Sequence, residues 1–95
     1  MSGYRIDRQV KEFGEHVRGW RMVLGLTAQQ VSERAGITRD TLRKIESGNP
    51  NVSFNSVTQV LRALGILDQL VDAADPLASD IGRLRAGRLT RKRAR

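Results

Sequence analysis

The stretch from Leu26 to Gly48, LTAQQVSERAGITRDTLRKIESG, leaves little freedom in how it folds. Thr27 carries a helix-capping hydroxyl, and Gln30 three residues on completes a capping-box pattern in which two side chains satisfy two backbone donors reciprocally. Gly36 follows Ala35 and supplies a left-handed position that a Cβ resists, so the helix stops there and Ile37 turns inward. A second short helix starts at Thr38 and ends at Gly48. Leu42 and Ile45 form its one apolar stripe, which leaves Arg39, Asp40, Arg43 and Lys44 on the remaining surface. Two short helices with a tight turn between them therefore present a basic face.

The flanking sequence is helical as well. From Asp7 to Leu24, Val10, Phe13, Val17, Trp20 and Leu24 recur at steps of three and four, the period of one apolar helix face, so Phe13 and Trp20 are expected in the core. Gly14 and Gly19 interrupt this helix at a cost of about 1 kcal/mol each relative to alanine, so tertiary packing must hold it, and they mark close approach of another helix. Met1 to Ile6 reads as a loose arm; Arg5 and Arg8 either touch phosphate or belong to a frayed, solvated terminus. After Gly48, NPNVS is a loop, since Pro50 excludes helix and pushes Asn49 towards an extended conformation. Ser53 caps a fourth helix with Phe54, Val57, Val60, Leu61 and Leu64 on one face and Gly65 at its end. A fifth helix over residues 66–73 carries Leu67, Leu70 and Val71. Pro76 then breaks the pattern, and the glycine and proline interruptions of DPLASDIGRLRAGRLTRKRAR predict a flexible tail. The expected architecture is all-α, with a five-helix domain over 1–74 and a basic C-terminal tail over 75–95.

Ninety-five residues make one small domain with a modest core, to which dimerisation is a natural supplement. Without cysteine there is neither a disulfide framework nor a thiolate metal site, which suits a reducing cytoplasm. The only histidine, His16, has no companion ligands and reads as a surface residue, so no metal or other cofactor is expected. No apolar run approaches a membrane span, and the N-terminus has no signal-peptide centre. Nucleophile and phosphate-loop motifs are lacking, and Glu33, Asp40 and Glu46 have ordinary helical roles open to them, so the chain is expected not to be an enzyme. The net charge of +7 is unevenly spread: 10 Lys/Arg against 8 Asp/Glu over 1–74, and 7 against 2 over 75–95. Such an excess argues for a polyanionic partner without choosing between DNA, RNA, an anionic membrane and an acidic protein.

The order and spacing of residues make that choice. Leu26, Thr27, Val31, Ala35, Gly36, Ile37, Leu42, Ile45, Glu46 and Gly48, preceded by Val17, Arg18, Arg21 and Gly25, resemble the helix-turn-helix of the Cro/λ-repressor (XRE) family of DNA-binding proteins, over about residues 10 to 70. The resemblance implies a λ-repressor-like fold, a double-stranded operator as partner, and a largely buried ion pair between Arg21 and Glu46. It also implies phosphate contacts from the loop of Asn49 and Asn51, and a homodimer contact at Leu67, Leu70 and Val71. The sequence departs from the family at Ala28, where a glutamine usually opens the second helix; Gln29 is the available substitute.

Reading DNA needs phosphate contacts for affinity and base-edge contacts for sequence. Arg39 and Arg43 are the expected base readers, since an arginine fork on guanine gives about 1–3 kcal/mol of discrimination. Lys44 reads a base or touches backbone. Asp40 either accepts from cytosine or sits favourably at the helix N-terminus. Thr27, Gln29, Thr38, Asn49 and Asn51 are the expected backbone contacts. A compact domain followed by a short basic tail further resembles HipB-type antitoxins, which implies a kinase-like HipA-class toxin as partner and repression of the protein's own operon; the alternative is a stand-alone or phage-type regulator. The tail itself either grips phosphates, binds a partner or only solubilises. An RNA or single-strand binder would need exposed stacking platforms, and most of the four aromatics, Tyr4, Phe13, Trp20 and Phe54, read as buried.

Overall fold

Local capping rules decide where each helix begins and ends. The computed structural model describes residues 3–89, and among them it contains helices and connecting turns but no strand. Helix α1 spans Gly3–Val23, α2 Ala28–Ala35, α3 Arg39–Glu46, α4 Phe54–Leu64 and α5 Leu67–Ala74; a 3-10 turn at Pro76–Ala78 and a short α6 at Asp80–Leu84 follow. Thr27 caps α2 with the full reciprocal box: its Oγ1 accepts from the Gln30 amide at 3.0 Å and its own amide donates to Gln30 Oε1 at 2.8 Å. Thr38 and Ser53 cap α3 and α4 by the same N3 amide bond. Gly36 ends α2 in the left-handed region at φ +70°, where its amide donates back to Glu33 and Ser32 carbonyls.

The core is built by four helices. Val17 of α1, Val31 and Ala35 of α2, Leu42 and Ile45 of α3, and Val60, Leu61 and Leu64 of α4 are buried together. Helix α5 contributes no buried residue; Leu67 and Leu70 lie partly covered against the core and Val71 faces outward. α1 and α3 meet backbone to backbone. A Cβ at Gly14 would stand 2.5 Å from the Ile45 carbonyl oxygen and 2.8 Å from that of Glu46, and one at Gly48 would stand 2.6 Å from Lys11 Cα. Only glycine allows this approach, and it fixes where α3 lies on α1. Gly19, by contrast, has nothing within 4 Å of the space its Cβ would fill.

This close contact explains the main departure from expectation. Phe13 and Trp20 are exposed, at 37% and 42%, because the inner seam of α1 runs through Val10, Gly14, Val17 and Arg21. The column Ile6–Phe13–Trp20 flanks that seam, since α3 seats on the glycine and leaves the larger side chains to one side. Phe54 is likewise exposed, at 72%: it is the first residue of α4, and Val57, Val60, Leu61 and Leu64 carry the inward face. The reading of most aromatics as buried is therefore corrected.

Two termini also differ. α1 begins at Gly3 rather than after a loose arm, because no proline or polar turn cluster stops helical hydrogen bonding from running back towards the N-terminus; Met1 and Ser2 lie outside the described residues. The segment after Pro76 contains short helical turns where none were expected. Asp75 Oδ1 accepts from the Leu77 amide at 2.9 Å and Ser79 Oγ from the Gly82 amide at 3.1 Å, two local caps strong enough to start a turn each. The remainder of the expected tail, 90–95, lies outside the described residues.

Candidate nucleic-acid interface

The site is the outer surface of α3 and the groove beside it. Because Leu42 and Ile45 face the core, the residues between them must point away from it. Arg39, Asp40 and Arg43 are exposed, and Lys44 is half-buried along its stem. Arg18, Arg39, Asp40 and Arg43 line one open groove of about 630 Å³ between α1, the start of α2 and α3, with Arg21 and Glu46 also on its wall. Arg18 and Arg39 make no ion pair among the described residues. Both cations are thus free for an anionic partner.

Beneath this surface Arg21 and Glu46 form a two-pronged pair, with side chains only 15% and 12% exposed. Arg21 also donates through Nη1 to the Leu26 carbonyl at 3.2 Å, so one guanidinium ties α1, the turn before α2 and the end of α3 together. The hydrogen bond to Glu46 and the nearby carboxylate charge hold the Arg21 guanidinium above its already high range, against a smaller opposing effect of burial. The pair is structural and holds α3 in position.

On the outer face of α3, Asp40 is bonded to two neighbours of its own helix. Arg43 Nη2 donates to Asp40 Oδ1 at 2.7 Å with Nε behind it at 3.3 Å, and Lys44 Nζ lies 3.3 Å from Oδ2. These two cations, Arg43 first, hold the Asp40 carboxyl below the usual carboxylate range, so it stays ionised at neutral pH.

Four of the five residues expected to contact phosphate are engaged locally. Thr27 and Thr38 use their hydroxyls as caps, Gln29 Nε2 donates to Glu33 Oε2 at 2.9 Å, and Asn49 Oδ1 accepts from the Asn51 amide at 2.7 Å. Asn51 is exposed and its side chain is free to reach outward. Ala28, at the point where the sequence lacks the usual glutamine, lines the groove with only a methyl group. The residue that site prediction missed is Arg18. It sits one turn before Arg21 on α1, and the spacing of the two arginines was the available signal. Phe13, Trp20 and Phe54 do not line this groove, so the exposed aromatics form no stacking platform within it. No helix of the described residues is long and apolar enough to cross a membrane.

Comparison with known proteins agrees with this geometry. A family model described as a helix-turn-helix domain matches residues 12–74. An uncharacterized HTH-type transcriptional regulator from Methanothermobacter thermautotrophicus is 39% identical over 49 residues, which cover 52% of this chain and 71% of that protein. No solved structure matches the chain.

Proposed function

This chain belongs to the helix-turn-helix domain family, and from that premise we propose that it is a sequence-specific reader of double-stranded DNA that represses transcription. The observation that carries the reading is the outer face of α3, where Arg39 and Arg43 stand exposed on a helix whose other side is locked into the core. A helix of this kind fits the major groove, about 12 Å wide, and presents its N-terminal residues to base edges. Arg39 and Arg43 read bases, Lys44 reads a base or grips backbone, and the helix start at Thr38 faces phosphate. Arg18, from the opposite wall of the groove, adds a phosphate contact. The loop with Asn49 and Asn51 and the start of α2 with Thr27 and Gln29 supply further backbone contacts.

The repressor works as an XRE-type homodimer, with Leu67, Leu70 and Val71 of α5 at the twofold contact. Two copies then present their α3 helices about one DNA turn, roughly 34 Å, apart on a palindromic site. Its biological setting is the cytoplasmic antitoxin of a HipA/HipB-type pair, supported by the basic segment that follows the compact domain. In the second reading, a stand-alone or phage-type regulator, the same surface is used without a toxin.

Selection of binding sites from a random duplex pool tests the reading directly. The full chain is expected to enrich a short palindromic sequence. Recovery of no common sequence would contradict sequence-specific binding. Co-expression with a neighbouring kinase-like toxin, followed by pull-down, separates the antitoxin from the stand-alone regulator.

A further inference from the structure

The reading face carries one carboxylate among its cations, and its geometry gives it a job. Asp40 Oδ1 is taken by Arg43 and Oδ2 by Lys44, so both oxygens of a single carboxylate engage the two cations next along the helix. All three side chains are solvent-accessible, between 44% and 67% exposed, so no packing forces them together or keeps them apart from DNA. Arg39, at the start of the same helix, is left outside the cluster.

We propose that Asp40 is a built-in counter-ion that sets the protein's discrimination between its target site and random duplex, by holding Arg43 and Lys44 away from phosphate until a base edge competes for them. The inference deepens the DNA-reading function and rests on it. Non-specific binding is counterion release, and each cation freed to meet a phosphate adds about 0.9 to the slope of log affinity against log salt. On random duplex a cation that leaves Asp40 for a phosphate only exchanges one anionic partner for another, so little is gained. At the target, Arg43 gains a two-pronged contact with a guanine edge that random duplex does not hold in register, so the carboxylate opposes binding far less there.

The test uses the full chain with two duplexes of equal length, one recovered by site selection with the wild-type protein and one with that sequence scrambled. Asp40→Asn keeps the side-chain shape and removes the charge. Binding to the scrambled duplex is expected to tighten roughly fivefold to tenfold, with a salt slope steeper by up to about two, while affinity for the selected duplex changes less than about threefold. In the Arg43→Gln/Lys44→Gln background, where only direct repulsion of phosphate is left to remove, the same substitution is expected to have a much smaller effect. Equal tightening on both duplexes would overturn the proposal, and so would no change on either. Lost affinity for the selected duplex alone would overturn it too, and would make Asp40 a reader of cytosine. If the wild-type chain selects no sequence at all, the DNA-reading function itself fails before Asp40 is touched, and the proposal falls with it.

Discussion

Arg21 and Glu46, 25 residues apart in sequence, meet through two parallel bonds: Nε to Oε2 at 2.8 Å and Nη2 to Oε1 at 3.1 Å. The pair joins α1 to the end of α3, so α3 is held by a charge contact as well as by Leu42 and Ile45. Removing one partner strands the other in a largely covered site. Glu46→Ala is expected to cost about 2–3 kcal/mol, somewhat below the range for fully buried pairs because both side chains keep some access to water. Urea denaturation measures this directly, and Arg21→Met/Glu46→Leu is expected to recover most of the loss.

The two glycines of α1 are predicted to behave oppositely. Gly14→Ala drives a methyl group into the Ile45 and Glu46 carbonyls, which belong to helical backbone and cannot yield cheaply. A loss of about 2–4 kcal/mol is expected, in the upper range for overpacked sites. Gly19→Ala meets open space and is expected to gain about 0.5–1 kcal/mol from helix propensity alone. Thermal melts of the two variants side by side check both signs.

Ser32 is 2% exposed in α2, and its hydroxyl has no hydrogen-bond partner among the described residues. Ser32→Ala removes an unsatisfied buried polar group at almost no cost in packing. The variant is expected to be more stable by about 1 kcal/mol, read as a higher melting temperature.

Much of this fold could be read from the sequence because its decisive features are local. Thr27 with Gln30, Thr38, Ser53 and the left-handed Gly36 and Gly65 act within four residues of themselves, and the helix boundaries follow from them. The positions of Phe13 and Trp20 could not be read this way. An apolar period identifies a face about half a turn wide, and Gly14 chose which edge of that face α3 would cover. The exposure of Arg39, Asp40 and Arg43 followed from the burial of Leu42 and Ile45. Arg18 is a different matter: its spacing from Arg21 puts both on one side of α1, but that this side borders the groove depends on how α1 crosses α3.

Helix α5 gives a test of the proposed dimer that does not confuse assembly with folding. Leu67 and Leu70 pack partly against the core, so charges there would unfold the domain, whereas Val71 is 61% exposed and serves no internal contact of that kind. Val71→Asp is expected to leave the melting transition of the monomer in place and to shift the sedimentation coefficient from dimer to monomer. Affinity for a palindromic duplex is expected to drop at least tenfold, because a single half-site then binds without its linked partner. An unchanged sedimentation coefficient would remove Val71 from the interface.

The most direct measurement of the central claim is the base preference of Arg39→Ala and Arg43→Ala, each taken at every position of the selected site. Reading by α3 predicts that each variant loses about 1–3 kcal/mol at one or two particular base pairs and becomes indifferent to the base there, with a clearly smaller loss on random duplex. Equal losses on selected and random duplexes, with base preferences intact, would show that both arginines touch only phosphate and would contradict the account.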